Sequence, residues 1–252
     1  MTLALIDGDI LVYRIGFTTE DVDEGIMKAR LRESINLILE AVEATAYKIY
    51  LTEENDPTQF RRRIYPEYKA HRLQAKPKHY QVIREYLQEH YDAEVCTGIE
   101  ADDALGIEQY SRRDALAGHF GIFRQFPDVP KIGETIICSI DKDLKQIPGH
   151  HYNFVKLEHS EVSYAEGLRY FYTQLLTGDS SDNVKGVWKV GPVKAANILA
   201  TADTEQEMFH RVRDTYNNDE EMLMNGRVLW IWKQQNDDWQ RHWDGLSKES
   251  QD

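Results

Sequence analysis

Met1-Thr2-Leu3-Ala4-Leu5-Ile6-Asp7-Gly8 is a short apolar run that ends in a carboxylate and a glycine. Such a run reads as a buried strand carrying Asp7 at its C-terminal end. A helix is expected to follow, capped by Asp9, with Ile10 to Phe17 as its apolar stretch. Outward from this start the pattern repeats. Leu31, Ile35, Ile38, Leu39 and Val42 fall at helical spacing within residues 28–45, and Tyr47 to Thr52 reads as a strand running into Glu53 and Glu54. Val95 and Cys96 lead to Glu100, and Thr135 to Ile140 lead to Asp141. Strands alternating with helices predict an α/β fold whose sheet is mostly parallel. Ligands of open sheets of this kind bind beyond the carboxyl ends of the strands, so Asp7, Glu53 and Asp141 are expected along one functional edge.

Beyond about residue 165 the strand signals cease. Tyr164 to Thr177 and Pro192 to Ala200 read as helices, separated by a polar, glycine-rich stretch from Gly178 to Gly191. A closing helical segment is expected over 219–243, its tryptophans serving as core, and the last eight residues are expected to fray.

The chain has 252 residues, enough for one large domain or two small ones. Its net charge of −13 would argue against a nucleic-acid partner, were the charge evenly spread. Two cysteines are too few for a disulfide framework and suit a reduced compartment. There is neither an apolar run long enough to span a membrane nor a basic, signal-like start. A soluble cytoplasmic protein without a membrane partner is expected.

The acids arrive in clusters: Glu100-Ala101-Asp102-Asp103, Asp141-Lys142-Asp143, and Gly178-Asp179-Ser180-Ser181-Asp182-Asn183. Together with Asp7 and Glu53 they make nine candidate metal ligands. So many carboxylates in one pocket require cations, and oxygen-only donors select hard ions, Mg²⁺ or Mn²⁺. Two such ions can hold the attacking and leaving oxygens of a phosphodiester displacement. Any one cluster alone could be a helix start or a turn; their shared edge is what points to metal. Asp9 and Asp56 read as cap and turn residues.

The charge is far from even. From Thr58 to Arg84 stand eight bases (Arg61, Arg62, Arg63, Lys69, Arg72, Lys76, Lys78 and Arg84) against the single acid Glu67, with Tyr65, Tyr68 and Tyr80 interleaved. Charge for phosphates and aromatic faces for bases is the composition of a single-strand binding surface. A second basic element holds Lys185, Lys189 and Lys194, and no acid interrupts Val184 to Leu199. Gly186 and Gly191 frame a tight turn there, in the manner of a helix–hairpin–helix whose backbone N–H groups approach phosphates.

The order of these motifs resembles the structure-specific 5′-nuclease family: flap endonucleases, the 5′-nuclease domain of bacterial DNA polymerase I, and phage 5′–3′ exonucleases. The resemblance runs from Leu5 to about Leu199. It rests on Leu5-Ile6-Asp7-Gly8, on Phe60-Arg61 with Tyr65-Pro66-Glu67-Tyr68-Lys69-Ala70-His71-Arg72, and on the three acidic clusters leading into Gly186 to Gly191. The family implies a PIN-like catalytic domain over 1–165 with a helical arch at about 66–90. It also implies a helical DNA-binding region over 166–252 with a helix–hairpin–helix at about 178–200. By the same resemblance Lys69 and Arg72 would contact the scissile phosphate, and Asp7, Glu100, Asp102, Asp103, Asp141, Asp143, Asp179 and Asp182 would hold two metal ions. The hairpin would bind duplex and can hold K⁺ through backbone carbonyls. Arg61, Tyr68, Lys76, Lys78, Arg84, Lys185, Lys189, Lys194, Gly186 and Gly191 are the expected nucleic-acid contacts. Substrates would be DNA with a free 5′ end, a flap or a single-strand/duplex junction, or an RNA primer–DNA hybrid, cut by a monomer.

Two features depart from the family. After the second strand stands Thr52-Glu53-Glu54-Asn55-Asp56 where an aspartate is usual; Glu53 is the first choice and Asp56 the fallback. The 111–133 segment, with Phe120, Phe123 and Phe126, has no family counterpart and is expected to pack its own phenylalanines. One alternative is a phosphatase of the haloacid dehalogenase type, using Asp7 and Asp9. Another is a DNA-junction binder that has lost its chemistry.

Overall fold

The computed structural model describes residues 2–72, 75–120 (backbone only over 113–120) and 134–248. Six strands form one sheet: β1 (Thr2–Asp7), β2 (Ala44–Thr52), β3 (Glu94–Cys96), β4 (Thr135–Cys138), β5 (Gly149–Asn153) and β6 (Glu158–Val162). Their order is β3-β2-β1-β4-β5-β6, parallel throughout except for the antiparallel β5–β6 pair. The chain winds outward from β1 in both directions, so the point where strand order reverses lies between β1 and β4.

Side chains along β1 alternate between two cores, as a strand buried on both faces requires. Ala4 and Ile6 meet α1 (Gly8–Thr18), α2 (Glu24–Ala41) and α4 (Tyr80–Tyr91) through Leu11, Ile15, Met27, Leu31, Ile83 and Leu87. Leu3 and Leu5 face α5 (Ala101–Phe120) through Ala101 and Leu105, with Leu144, Ile147 and Ile231 completing that layer. The entry into α1 is tight: a Cβ on Gly8 would stand 2.5 Å from the Tyr50 carbonyl oxygen. Glycine at this position lets α1 start directly against β2.

The helical half begins at α6 (Tyr164–Thr177), started by a reciprocal capping box between Ser163 and Glu166. It continues through the two-residue pair β7 (Gly178–Asp179) and β8 (Val184–Lys185), then α7 (Pro192–Leu199), α8 (Glu205–Tyr216), α9 (Asp219–Leu229) and α10 (Gln240–Lys248). Phe171 of α6 is its hub, edge-on to Trp230 at 4.7 Å and Trp239 at 5.1 Å between ring centres. In the closing segment Trp230, Trp232 and Trp239 are core, as read from sequence, with Trp243 partly buried against them.

Several elements differ from expectation. The sheet has a β5–β6 hairpin that the sequence does not announce. The closing segment is not one helix, because the Ile231 and Trp232 N–H groups turn to the side chains of Gln146 and Asp103 rather than to preceding carbonyls. Helix α10 persists through Lys248, and the four residues beyond it lie outside the described ones. So do Phe123 and Phe126, with the Phe120 side chain, and with them the expected packing of the 111–133 insertion. The 66–90 interval contains α4, whose inner residues Tyr80, Ile83, Arg84 and Leu87 are buried against the sheet, so α4 is a packed helix.

The largest correction concerns the short α3 (Phe60–Ile64). Arg61, expected on DNA, is only 1% exposed, and Asp103, expected on metal, is fully buried. The two pair in a fork, Nη1 to Oδ2 at 2.5 Å and Nη2 to Oδ1 at 2.8 Å. Arg61 also donates to the carbonyls of Val228 and Trp230, while Asp103 accepts from the N–H groups of Glu100 and Trp232. These groups face the interior and are spoken for, so Arg61 is no DNA contact and Asp103 no metal ligand. Removing either partner strands the other charge in the core. We expect Arg61→Ala and Asp103→Ala each to cost about 3–5 kcal/mol, against under about 0.5 kcal/mol for the exposed Arg62→Ala, read from urea unfolding midpoints.

Candidate active site

Beyond the carboxyl ends of β1 and β4, at the strand-order reversal, the acids gather. Asp7 ends β1 and caps α1, accepting from the Ile10 N–H at 3.0 Å. Its second oxygen accepts from Ser139 Oγ at 2.6 Å, and Ser139 Oγ in turn accepts from the Asp141 N–H at 3.0 Å. The helix cap is therefore Asp7, not Asp9. Asp9 sits within the first turn of α1, where it accepts from the Thr52 N–H at 3.1 Å and from Arg84 at 3.2 Å.

The field in this pocket is strongly negative. Burial, with Asp9 and Asp141 nearby, pushes the Asp7 carboxyl up to about 7. Burial together with Asp141 and Asp7 holds Asp102 well above the usual carboxylate range. Burial with Asp141 and Asp179 brings Asp143 to about 7, even as it accepts from Gln174 Nε2 at 2.7 Å. Asp182 is also raised, mainly by burial, with Lys69 and Arg72 opposing.

Basic groups neutralise the rest. Lys69 Nζ is 2.7 Å from Glu100 Oε1 and 3.9 Å from Asp182, and its charged form is favoured by both acids against the cost of burial. Burial of Glu100 is outweighed by Lys69, Arg61 and the Tyr68 hydroxyl, which together hold its carboxyl down near 2. Arg72 donates to Asp182 at 2.8 Å and to the Ser181 carbonyl at 2.9 Å. Lys142 donates to Asp179 at 2.6 Å; that bond and one from Ser181 outweigh burial and lower the Asp179 carboxyl. The 65–72 segment is thereby fastened onto the 179–183 loop, with the Tyr65 hydroxyl and the Lys69 N–H donating to the Asn183 and Asp182 carbonyls.

The structure thus brings together Asp7, Glu100, Asp102, Asp141, Asp143, Asp179 and Asp182 with Lys69 and Arg72. Among the described residues, Glu53 makes no side-chain hydrogen bond to this group. Its fallback Asp56 is used elsewhere, closing a turn by accepting from Thr58 and from the Gly98 N–H. Of the expected nucleic-acid contacts, Tyr68 is buried with its hydroxyl on Glu100, and Arg84 is buried between Asp9 and the Thr52 carbonyl. Neither is free to meet a ligand. Lys76, paired with Glu54, and Lys78 are exposed, as are Lys185 and Lys189 on the hairpin and Lys194 in the first turn of α7. A Cβ on Gly186 would stand 2.3 Å from the Gly178 nitrogen, whereas Gly191 faces open space.

Sequence reading missed Asp9, Ser139, Lys142 and Gln174. Asp9 and Lys142 carry a usable signal, since each lies one or two residues from a chosen acid. Ser139, two residues before Asp141, carries the same signal, whereas Gln174 carries none, being an ordinary polar residue until the fold delivers it.

The donor set suits a hard divalent ion: oxygens only, buried, repelling one another, and short of positive charge. Among the described residues no three acids already stand in a ligating cluster, and Lys69, Arg72 and Lys142 take up part of the negative charge.

A family described as 5′–3′ exonuclease, N-terminal resolvase-like domain, matches residues 2–172. A 5′–3′ exonuclease of Buchnera aphidicola subsp. Schizaphis graminum is 25% identical over 239 residues, covering 87% of this chain and 75% of the relative. Flap endonuclease Xni of Shewanella putrefaciens is 25% identical over 239 residues, covering 89% of this chain and 84% of the relative. Among solved structures, a bacteriophage T5 flap endonuclease in a pseudo-enzyme-product complex with DNA and metal ions superposes with a TM-score of 0.66 at 15% identity, over 99% of this chain and 97% of that one. The T5 5′-exonuclease with bound zinc gives 0.67, also at 15% identity, over 99% and 98%. The structural likeness establishes the shared fold, and with two thirds of its length matched by the family's own domain, the chain belongs to the 5′–3′ exonuclease and flap endonuclease family.

Proposed function

We propose that this protein hydrolyses DNA phosphodiesters near 5′ ends, as a 5′–3′ exonuclease and flap endonuclease, leaving a 5′-phosphate and a 3′-hydroxyl. The carrying observation is the group of buried, under-neutralised carboxylates at the strand-order reversal, with Lys69 and Arg72 fastened over it. Asp7, Glu100, Asp102 and Asp141, with Asp143, Asp179 and Asp182, would hold two Mg²⁺ or Mn²⁺ ions. Bound there, the ions would supply an activated water and offset charge developing on the phosphate. The water oxygen forms the new bond to phosphorus, the bond to the 3′ oxygen breaks, and that oxygen takes up a proton.

The chain's own residues prepare this site. Asp7 is fixed at both oxygens, by Ile10 and Ser139, so it cannot swing away from the acids opposite. Glu100 keeps the Lys69 ammonium charged at the mouth, and Arg72 brings a guanidinium beside it; both suit the non-bridging phosphate oxygens. Lys185, Lys189 and Lys194 would grip the duplex, and K⁺ at the 186–191 hairpin belongs to the same reading. The names of the phage and bacterial relatives, which include DNA and metal complexes, support DNA as the partner. RNA primer hybrids and action as a monomer are part of the proposal. A phosphatase using Asp9 as acid is disfavoured, since Asp9 is committed to Thr52 and Arg84.

With a 5′-labelled flap duplex we expect short 5′ products in Mg²⁺ and none in EDTA. The Asp141→Asn/Asp143→Asn variant should cut at least about 10²-fold more slowly while still binding DNA. Tight binding without cleavage in Mg²⁺ or Mn²⁺ would turn the assignment to a junction binder.

The raised carboxyls give a second expectation. Asp7 and Asp143 titrate near 7 when folded, against 3.8 for an ordinary aspartate. The unfolded chain therefore holds fewer protons on them, and the metal-free protein loses their contribution as pH rises from about 4 to 7. A divalent ion binds the ionised forms and restores it. The gain in Tm from Mg²⁺ over EDTA should grow from pH 5.5 to 8; an equal gain at both ends would show that these acids do not hold the ion.

A further inference from the structure

The two most exposed large apolar side chains among the described residues are Trp188 at 83%, on the glycine hairpin, and Val193 at 78%, in the first turn of α7 that follows it. Neither position is a loose loop. The Val187 N–H donates to the Leu176 carbonyl at 2.9 Å and the Val190 N–H to the Val187 carbonyl at 3.0 Å. Below them the Gly178 and Gly186 backbones touch, so closely that no side chain fits between. Lys189, next to the tryptophan, adopts a left-handed φ of 59°, a conformation unusual for a side-chain-bearing residue, and its ammonium lies 5.7 Å from the indole centre. A rigid turn thus holds an indole out into water. Burying such a ring is worth far more than leaving it wet, so its natural state is covered.

Charge says by what. Val184 to Leu199 carries three lysines and no acid in a chain of net charge −13, so the occupant is a polyanion. Surfaces for unpaired strands line up several aromatic faces along a track. Here a single indole stands among lysines, the pattern of an apolar side chain set against a duplex groove with basic groups on the flanking phosphates.

We propose that Trp188 is a duplex-contact residue, resting its indole against the sugar and base edges of double-stranded DNA while Lys185, Lys189 and Lys194 reach the phosphates on either side. The proposal rests on the DNA-nuclease reading above and adds to it the residue that grips the paired region. Because the ring is uncharged, it should contribute affinity without changing the number of counterions released.

The test compares the full-length protein with Trp188→Ala, Trp188→Phe and Lys189→Ala in EDTA, by anisotropy of a labelled blunt duplex and of one of its strands. Trp188 is exposed, so its variants should unfold at the wild-type urea midpoint. We expect Trp188→Ala to weaken duplex binding roughly tenfold, with little effect on the single strand, and Trp188→Phe to recover most of the loss. The slope of log affinity against log salt should stay unchanged in Trp188→Ala and shrink by about 1 in Lys189→Ala. Unchanged duplex affinity in Trp188→Ala, beside a wild type that cleaves DNA, would overturn the proposal alone. So would an equal loss on the single strand, or a fall in oligomeric mass in the variant, which would make a second copy of the chain the occupant. A wild type that neither binds nor cuts DNA would remove the nuclease reading and this one with it.

Discussion

The Arg61–Asp103 pair is the interaction on which the arrangement depends. Four parts of the chain meet at it: α3, the start of α5, the end of α9, and the extended stretch carrying Trp230 and Trp232. Two ions this deep are stable only because each spare donor and acceptor is matched, the guanidinium by two carbonyls and the carboxylate by two N–H groups. The same pair settles what its neighbour can do. Asp102 and Asp103 are consecutive on a helix and point about 100° apart. With Asp103 turned inward and neutralised, Asp102 alone adds charge to the cleft.

The cleft is built on an opposite principle. There, negative charge is concentrated beyond what the local cations balance, and the fold tolerates it because rigid elements leave the acids nowhere else to go. Asp7 is held by a helix start, the Asp141 carboxylate by the Asp143 N–H, and Asp143 by Gln174. The imbalance is carried by a pocket in which Lys69 and Lys142 are themselves tied to acids, at Glu100 and Asp179.

Much of this could be read before any coordinates. The apolar run into Asp7, the alternation of elements and the three acidic clusters suffice for the sheet, its direction and the edge where the chemistry sits. What could not be read was partnership across distance. Nothing local separates Asp103 from Asp102, because the deciding group is Arg61, 42 residues away. Arg84 and Tyr68 look like surface residues by composition and are interior because Asp9 and Glu100 await them. The β5–β6 hairpin was invisible for another reason: its outer strand, Glu158-His159-Ser160-Glu161-Val162, has no buried face and so no alternation to detect.

That outer strand has a consequence of its own. A sheet of six strands ends in two rows of unpaired backbone groups, each a template on which another chain could add. On one side β3 is three residues long, too short to seed much of a ladder. On the other, β6 places two glutamates among four consecutive exposed side chains, so a stranger docking there must bury charge along its whole length. Among the described residues, a short edge strand on one side and a charged one on the other both disfavour strand addition. A second copy of the chain therefore gains little by extending the sheet at either of these two edge strands.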